Sequence, residues 1–161
     1  MTPTRRILVQ RYLRRSPKTP ERVVRGALRQ LRSLDADHNL KYACRIQVTE
    51  QDSQVIPEKR LGFRRNVCSV INVGDNHELS DIEDEVEAAT TIYHEALHAR
   101  DISKDGEKAI TKENEIKAHE ETIAFLKDWA KIEKRDHVKK RIAEELEEER
   151  EAIQTLRLEE D

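Results

Sequence analysis

The sequence predicts an α+β fold: a small antiparallel or mixed sheet packed on one central helix, a second helix after it, and helical extensions at both ends. Three observations predict it. Residues 42–49 alternate with a period of two, residues 67–73 are nearly continuous in β-branched side chains, and the stretches around 20–34, 80–105 and beyond 106 repeat apolar residues at three- and four-residue steps.

In chain order, residues 1–20 form a basic extension. Arg5, Arg6, Arg11, Arg14, Arg15 and Lys18 all precede the first acid, Glu21. Ile7, Leu8, Tyr12 and Leu13 make the stretch mildly amphipathic, which predicts a basic helix ending before Pro17 and Pro20. Organellar transit peptides share this Arg-rich, acid-free character. From 20 to 34, Val23, Val24, Ala27, Leu28, Leu31 and Leu34 define one face of an amphipathic helix.

After the polar break at 35–39, Tyr42, Cys44, Ile46 and Val48 alternate with Ala43, Arg45, Gln47 and Thr49, the pattern of a half-buried strand. A turn-rich patch with Pro57 and Gly62 separates it from a second strand at 67–73, with a weaker third strand at 54–56. Ser80 followed by Glu83 is a capping-box pattern, and Asp81, Glu83, Asp84 and Glu85 place negative charge where a helix N-terminus favours it. The helix it starts should stop near Asp105 and Gly106, since glycine readily takes the left-handed C-terminal conformation.

Beyond Gly106 the chain holds neither glycine nor proline, so helix is the expectation throughout. Counting ~100° per residue, Ile116, Ile123, Leu126 and Ala130 share one stripe. Val138, Ile142, Leu146, Ile153 and Leu156 form another, rotated by roughly 140°, so the helix breaks or changes partner near 134–137. The expected divisions are therefore a domain over 21–132 and a charged helical tail over 133–161.

Composition limits the function classes. At 161 residues there is room for one ordinary domain with an extension, not for two large ones. Charged residues at 39% against 36% hydrophobic ones predict a small core and some solvated helix. Cys44 and Cys68 stand in strand-like surroundings without a CxxC spacing, which argues against a disulfide framework and a cysteine zinc site. No apolar run approaches the ~18 residues of a membrane span, so a soluble, cytoplasmic protein with no membrane partner is expected, with organellar targeting by the basic N-terminus as the alternative. That basic end can also meet nucleic acid, an acidic lipid surface or the chain's own glutamate-rich tail; self-association or simple solvation is the preferred reading.

The chemistry concentrates in His94, Glu95 and His98, an HExxH motif inside a predicted helix. Histidines at i and i+4 lie about 6 Å apart on one face, so both imidazoles can reach one zinc at ~2.0–2.1 Å. Glu95 can then take a proton from a zinc-bound water whose pKa the metal has brought towards ~7. A metzincin would carry glycine and histidine where Asp101 and Lys104 stand, which excludes that class.

With a downstream glutamate as third ligand, the chain resembles the gluzincins, the thermolysin-like metallopeptidases with a His₂Glu zinc set. The resemblance covers roughly residues 67–129 and implies a minimal, single-domain zincin-like fold. Candidate ligands are Glu113, Glu115, Glu120 and Glu121. On the helical wheel Glu115 falls beside the stripe of Ile116, Ile123 and Leu126, whereas Glu121 points nearly opposite; Glu115 is preferred and Glu120 is the runner-up. Glu115 with His119 is similar to the ExxxD element of some gluzincins, His119 replacing the aspartate. It could orient a ligand, stabilise the oxyanion or be the third ligand itself.

Tyr93, Arg100 and His77 are candidates to stabilise the transition state, each able to present a donor to developing negative charge. His38 and His137 have no partner at useful spacing and are assigned no role; Trp129 reads as a core anchor. The resemblance implies zinc-dependent hydrolysis of a peptide or protein substrate, the strand at 67–73 lining the cleft as an edge that holds the peptide. A non-catalytic zinc-binding regulatory module and a nucleic-acid or partner-binding protein are the rival readings.

Overall fold

The computed structural model describes residues 8–11, 20–49, 54–59, 67–74 and 82–159. Four helices carry the packing: α1 (Pro20–Ser33), α2 (Ile82–Asp105), α3 (Lys112–Ile132) and α4 (Asp136–Leu158). Short 3-10 turns at His38–Tyr42 and Gly106–Ala109 connect them to their neighbours.

This arrangement corrects the expected fold class. Helices dominate the described residues and form a helical bundle-like fold, in place of the expected α+β fold organised around a sheet. The reason lies in α2. Val86, Ala88, Ala89, Thr90, Ile92, Ala96, Leu97, Ala99 and Ile102 are all buried, and together they cover well over half of its circumference. A helix buried over so wide a face needs partners on several sides, and α1, α3 and α4 supply them, with β4. Alanine at four of these positions lets their backbones come close.

The C-terminal helix is part of this interior. Val138 and Ile142 of α4 join Val24, Ala27 and Leu31 of α1, Ile92 of α2, and Phe125, Leu126 and Trp129 of α3 in one hydrophobic core. Burial of this kind contributes roughly 1.5–3 kcal/mol for each large side chain.

Beside the bundle, backbone pairing joins β1 (Leu8–Arg11), β2 (Ala43–Thr49), β3 (Gln54–Lys59) and β4 (Val67–Gly74) in the order β1-β2-β4-β3. β1 and β4 run parallel to β2, and β3 runs antiparallel to β4. Ala43 and Ile46 of β2 are fully buried in the helical core. Two local expectations change here. Leu8–Arg11 is extended rather than helical, and β4 lies between two strands, so its backbone groups are already paired and cannot hold a peptide as an edge would.

The helix ends follow from local chemistry. After α1, Ala36 N–H donates to Leu31 O at 2.8 Å and Asp35 N–H to Arg32 O at 3.0 Å. These are the two bonds of a Schellman turn, with Asp35 at φ 55° in the left-handed position. Gly106 takes φ 70° directly after α2, as expected of it. Thr111 caps α3 by accepting from Asn114 N–H at 3.1 Å. Between α3 and α4 the Glu133 carboxylate accepts from Trp129 Nε1 at 3.2 Å and Arg135 Nη2 at 2.9 Å, fixing the break expected near 134–137.

Ser80, Gly62 and His77 lie outside the described residues, as do the side chains of Glu83, Cys44 and Cys68, so the capping pattern at Ser80 and Glu83 lies outside them too. Among the described residues no helix is long and apolar enough to cross a membrane.

Candidate metal centre

One turn of α2 presents His94 and His98, and one turn of α3 presents Glu115 and His119, each pair at i and i+4 and so on a single helix face. Where the two faces meet, the Glu115 carboxylate stands among three imidazoles. Its Oε1 lies 3.0 Å from His94 Nε2 and 3.2 Å from His119 Nε2, and its Oε2 lies 2.7 Å from His98 Nε2. The two motif histidines bring their Nε2 atoms to 3.0 Å of each other.

Spacings of this size suit a cation. Bonds of ~2.0–2.1 Å to a tetrahedral ion place neighbouring donor atoms about 3.3 Å apart. Two imidazole nitrogens this close also need either a proton or a cation between them, because two lone pairs facing each other repel. A cation satisfies all the lone pairs at once. The set of two imidazoles and one carboxylate is the donor chemistry of a zinc site, and His94, His98 and Glu115 form one of two groups among the described residues that could hold a metal ion. The other is His94, His119 and Glu149.

Electrostatics follow the same contacts. Burial pushes the Glu115 carboxyl up, but hydrogen bonds with His119, His94 and His98 outweigh it and hold the group far below the usual carboxylate range. For His119, burial favours the neutral ring, yet bonds with Glu115 and Glu149 push its pKa up to about 9. His98 is likewise raised: burial opposes its charge, and Glu115, by hydrogen bond and by charge, overrides burial. Glu95 is 8% exposed. Burial raises its pKa, opposed by the neighbouring His94 and His98.

No protein-family model, curated protein or solved structure matches the chain. The site therefore stands on its own geometry.

The other sequence candidates fall elsewhere. Glu121 pairs with Arg100 Nη2 at 3.1 Å, and Arg100 also meets Asp101. Glu120 lies 3.5 Å from Arg157, and Glu113 lies 3.9 Å from Lys117. Tyr93 stacks on Phe125 with ring centroids 4.3 Å apart. It lines a cavity of about 340 Å³ whose walls include Asp35, His38 and Trp129 but none of the histidine cluster. His137 is exposed.

Sequence reasoning missed Glu149, whose Oε1 lies 3.2 Å from His119 Nδ1. A signal for it exists. Val138, Ile142, Glu145, Glu149 and Ile153 follow one another at three- and four-residue steps, so two acids sit within an otherwise apolar stripe of α4.

Proposed function

We propose that this chain is a zinc-dependent metallopeptidase, with His94, His98 and Glu115 as the metal ligands and Glu95 as the general base. The observation that carries the reading is the approach of one carboxylate, Glu115, to the Nε2 atoms of both motif histidines, at 3.0 and 2.7 Å. Zinc, when bound, polarises a carbonyl and brings the pKa of water towards ~7. Glu95 follows His94 in the chain and is buried, as His94 is. Burial raises its proton affinity, which suits a carboxylate that accepts a proton from the attacking water and passes it to the leaving amine. His94 and His98 act as neutral imidazoles offering lone pairs, and the rigid α2 backbone holds their spacing. A cytoplasmic location and a peptide or protein substrate belong to the same reading.

Metal analysis of the purified protein with peptide-cleavage assays tests it. One zinc equivalent is expected in the wild type, none in His94→Ala or His98→Ala, and full zinc without cleavage in Glu95→Gln. Equal zinc in wild type and both histidine variants, or undiminished turnover in Glu95→Gln, overturns it.

One observation favours a second reading, a non-catalytic zinc-binding module. His119 brings a fourth donor group to the cluster, 3.2 Å from Glu115 Oε1, and structural zinc sites are closed by four protein ligands.

A further inference from the structure

We propose that His119 is a fourth ligand of the same metal ion and that Glu149 is the residue that positions it, so that the C-terminal helix completes the centre. This rests on the zinc reading above.

The geometry of His119 is that of a ligand rather than a bystander. It repeats on α3, with Glu115, the i and i+4 spacing that His94 and His98 use on α2. Its Nε2 lies 3.2 Å from Glu115 Oε1, and its ring centroid lies 4.6 Å from that of His94. The Nε2 atoms of His94, His98 and His119 thus all meet the one Glu115 carboxylate. Its second nitrogen is occupied: Nδ1 is 3.2 Å from Glu149 Oε1. A metal-binding histidine almost always donates its other ring N–H to a carboxylate, carbonyl or water, which selects the tautomer and aims the free lone pair at the ion. With Nδ1–H donated to Glu149, the Nε2 lone pair is available to a metal that displaces the Nε2 proton.

Glu149 is placed for this task and poorly placed for any solvent-exposed one. Its side chain is 13% exposed, on the α4 stripe between the buried Ile142 and Ile153. An acid there loses hydration, a cost that is tolerated when it is paired. Here it pairs with His119.

With four protein ligands the ion is saturated while α4 is docked. Access of water to such an ion beside Glu95 would then depend on His119, which Glu149 positions. The centre thereby ties α2, α3 and α4 together, which a His₂Glu set on two helices does not.

X-ray absorption of the zinc-loaded protein counts the imidazoles bound to the ion, and competitive zinc titration measures affinity. Three imidazoles are expected in the wild type, and two in both His119→Ala and His119→Gln, the glutamine preserving bulk where the alanine variant does not fold. Glu149→Gln should keep all three imidazoles and lose about 10- to 100-fold in affinity, the usual effect of removing a carboxylate that orients a ligand. In the cobalt-loaded protein the visible spectrum should be insensitive to azide for wild type and shift with azide for His119→Gln. Two imidazoles in wild type, with affinity unchanged by His119→Gln, overturn this inference and leave the zinc reading intact. Two zinc equivalents in wild type, one lost with Glu149→Gln, overturn it in favour of a second cation held by His94, His119 and Glu149. A wild type that binds no zinc overturns both.

Discussion

Glu115 Oε2 lies 2.7 Å from His98 Nε2, joining helices α2 and α3 through the shortest of the contacts in the histidine cluster. Replacing Glu115 by alanine removes the only carboxylate that meets His94, His98 and His119 among the described residues. We expect Glu115→Ala to weaken zinc binding by at least the 10- to 100-fold that loss of a supporting partner causes. Glu121→Ala and Glu120→Ala should change it little, because those groups face Arg100 and Arg157. Competitive zinc titration of the three variants checks this; a larger loss from Glu120→Ala or Glu121→Ala contradicts the ligand assignment.

Metal removal should destabilise the fold. An ion that binds the native state alone stabilises it by about 2.7 kcal/mol at a concentration one hundred times its Kd. Chelation should therefore lower the melting temperature of the wild type, and added zinc should restore it. In His94→Ala, which lacks a ligand, neither treatment should move the transition. Thermal unfolding followed by circular dichroism reads both.

The contribution of α4 is testable at Ile142, which is fully buried in the core shared with α1, α2 and α3. Ile142→Ala leaves a cavity there and should cost about 2–5 kcal/mol. A freely solvated terminal helix would lose almost nothing. Urea unfolding should show a lower midpoint with an unchanged slope, since the surface exposed on unfolding is nearly the same.

Stability should also fall as pH rises through the neutral range because of Glu145. This carboxyl is 4% exposed. Burial, opposed by Arg141 and reinforced by Glu148, Glu87 and Glu149, pushes its pKa up to about 8. Arg141 Nη2 lies 2.6 Å away, near enough for an ion pair, yet Glu145 Oε1 makes no aligned hydrogen bond. The folded protein thus holds this proton more tightly than the unfolded chain, whose glutamate titrates near ~4.3. The stability this group provides is fully present below that value and is lost as pH rises to about 8. Glu145→Gln should flatten this part of the pH profile and raise the melting temperature at alkaline pH, by about 2–4 °C for each kcal/mol recovered. An unchanged slope between pH 5 and 8, compared by thermal melts in matched buffers, contradicts it.

Much of this molecule is determined locally and was therefore legible in the sequence. Side-chain periodicity places the buried face of α1, because 3.6 residues per turn translate spacing directly into direction; on α3 the expected stripe of Ile116, Ile123, Leu126 and Ala130 is fully buried only at Leu126, and the interior face is instead that of Ala118, Thr122, Phe125, Leu126 and Trp129. Gly106 ends α2 because it alone tolerates the left-handed conformation without cost. The spacing of His94 and His98, and the phase of Glu115 on its own helix, follow from the same arithmetic. What tertiary structure decided is which faces meet. An apolar stripe states that a helix has a partner but not which one, so the tail's stripe gave no sign that Val138 and Ile142 complete the main core. Nor did the strand-like alternation near residue 46 reveal that the interior would be built helix on helix around α2. Glu149 escaped notice for the same reason. It is 30 residues from His119 in sequence, and only the docking of α4 against α3 turns an acid in an apolar stripe into a group that can hold an imidazole.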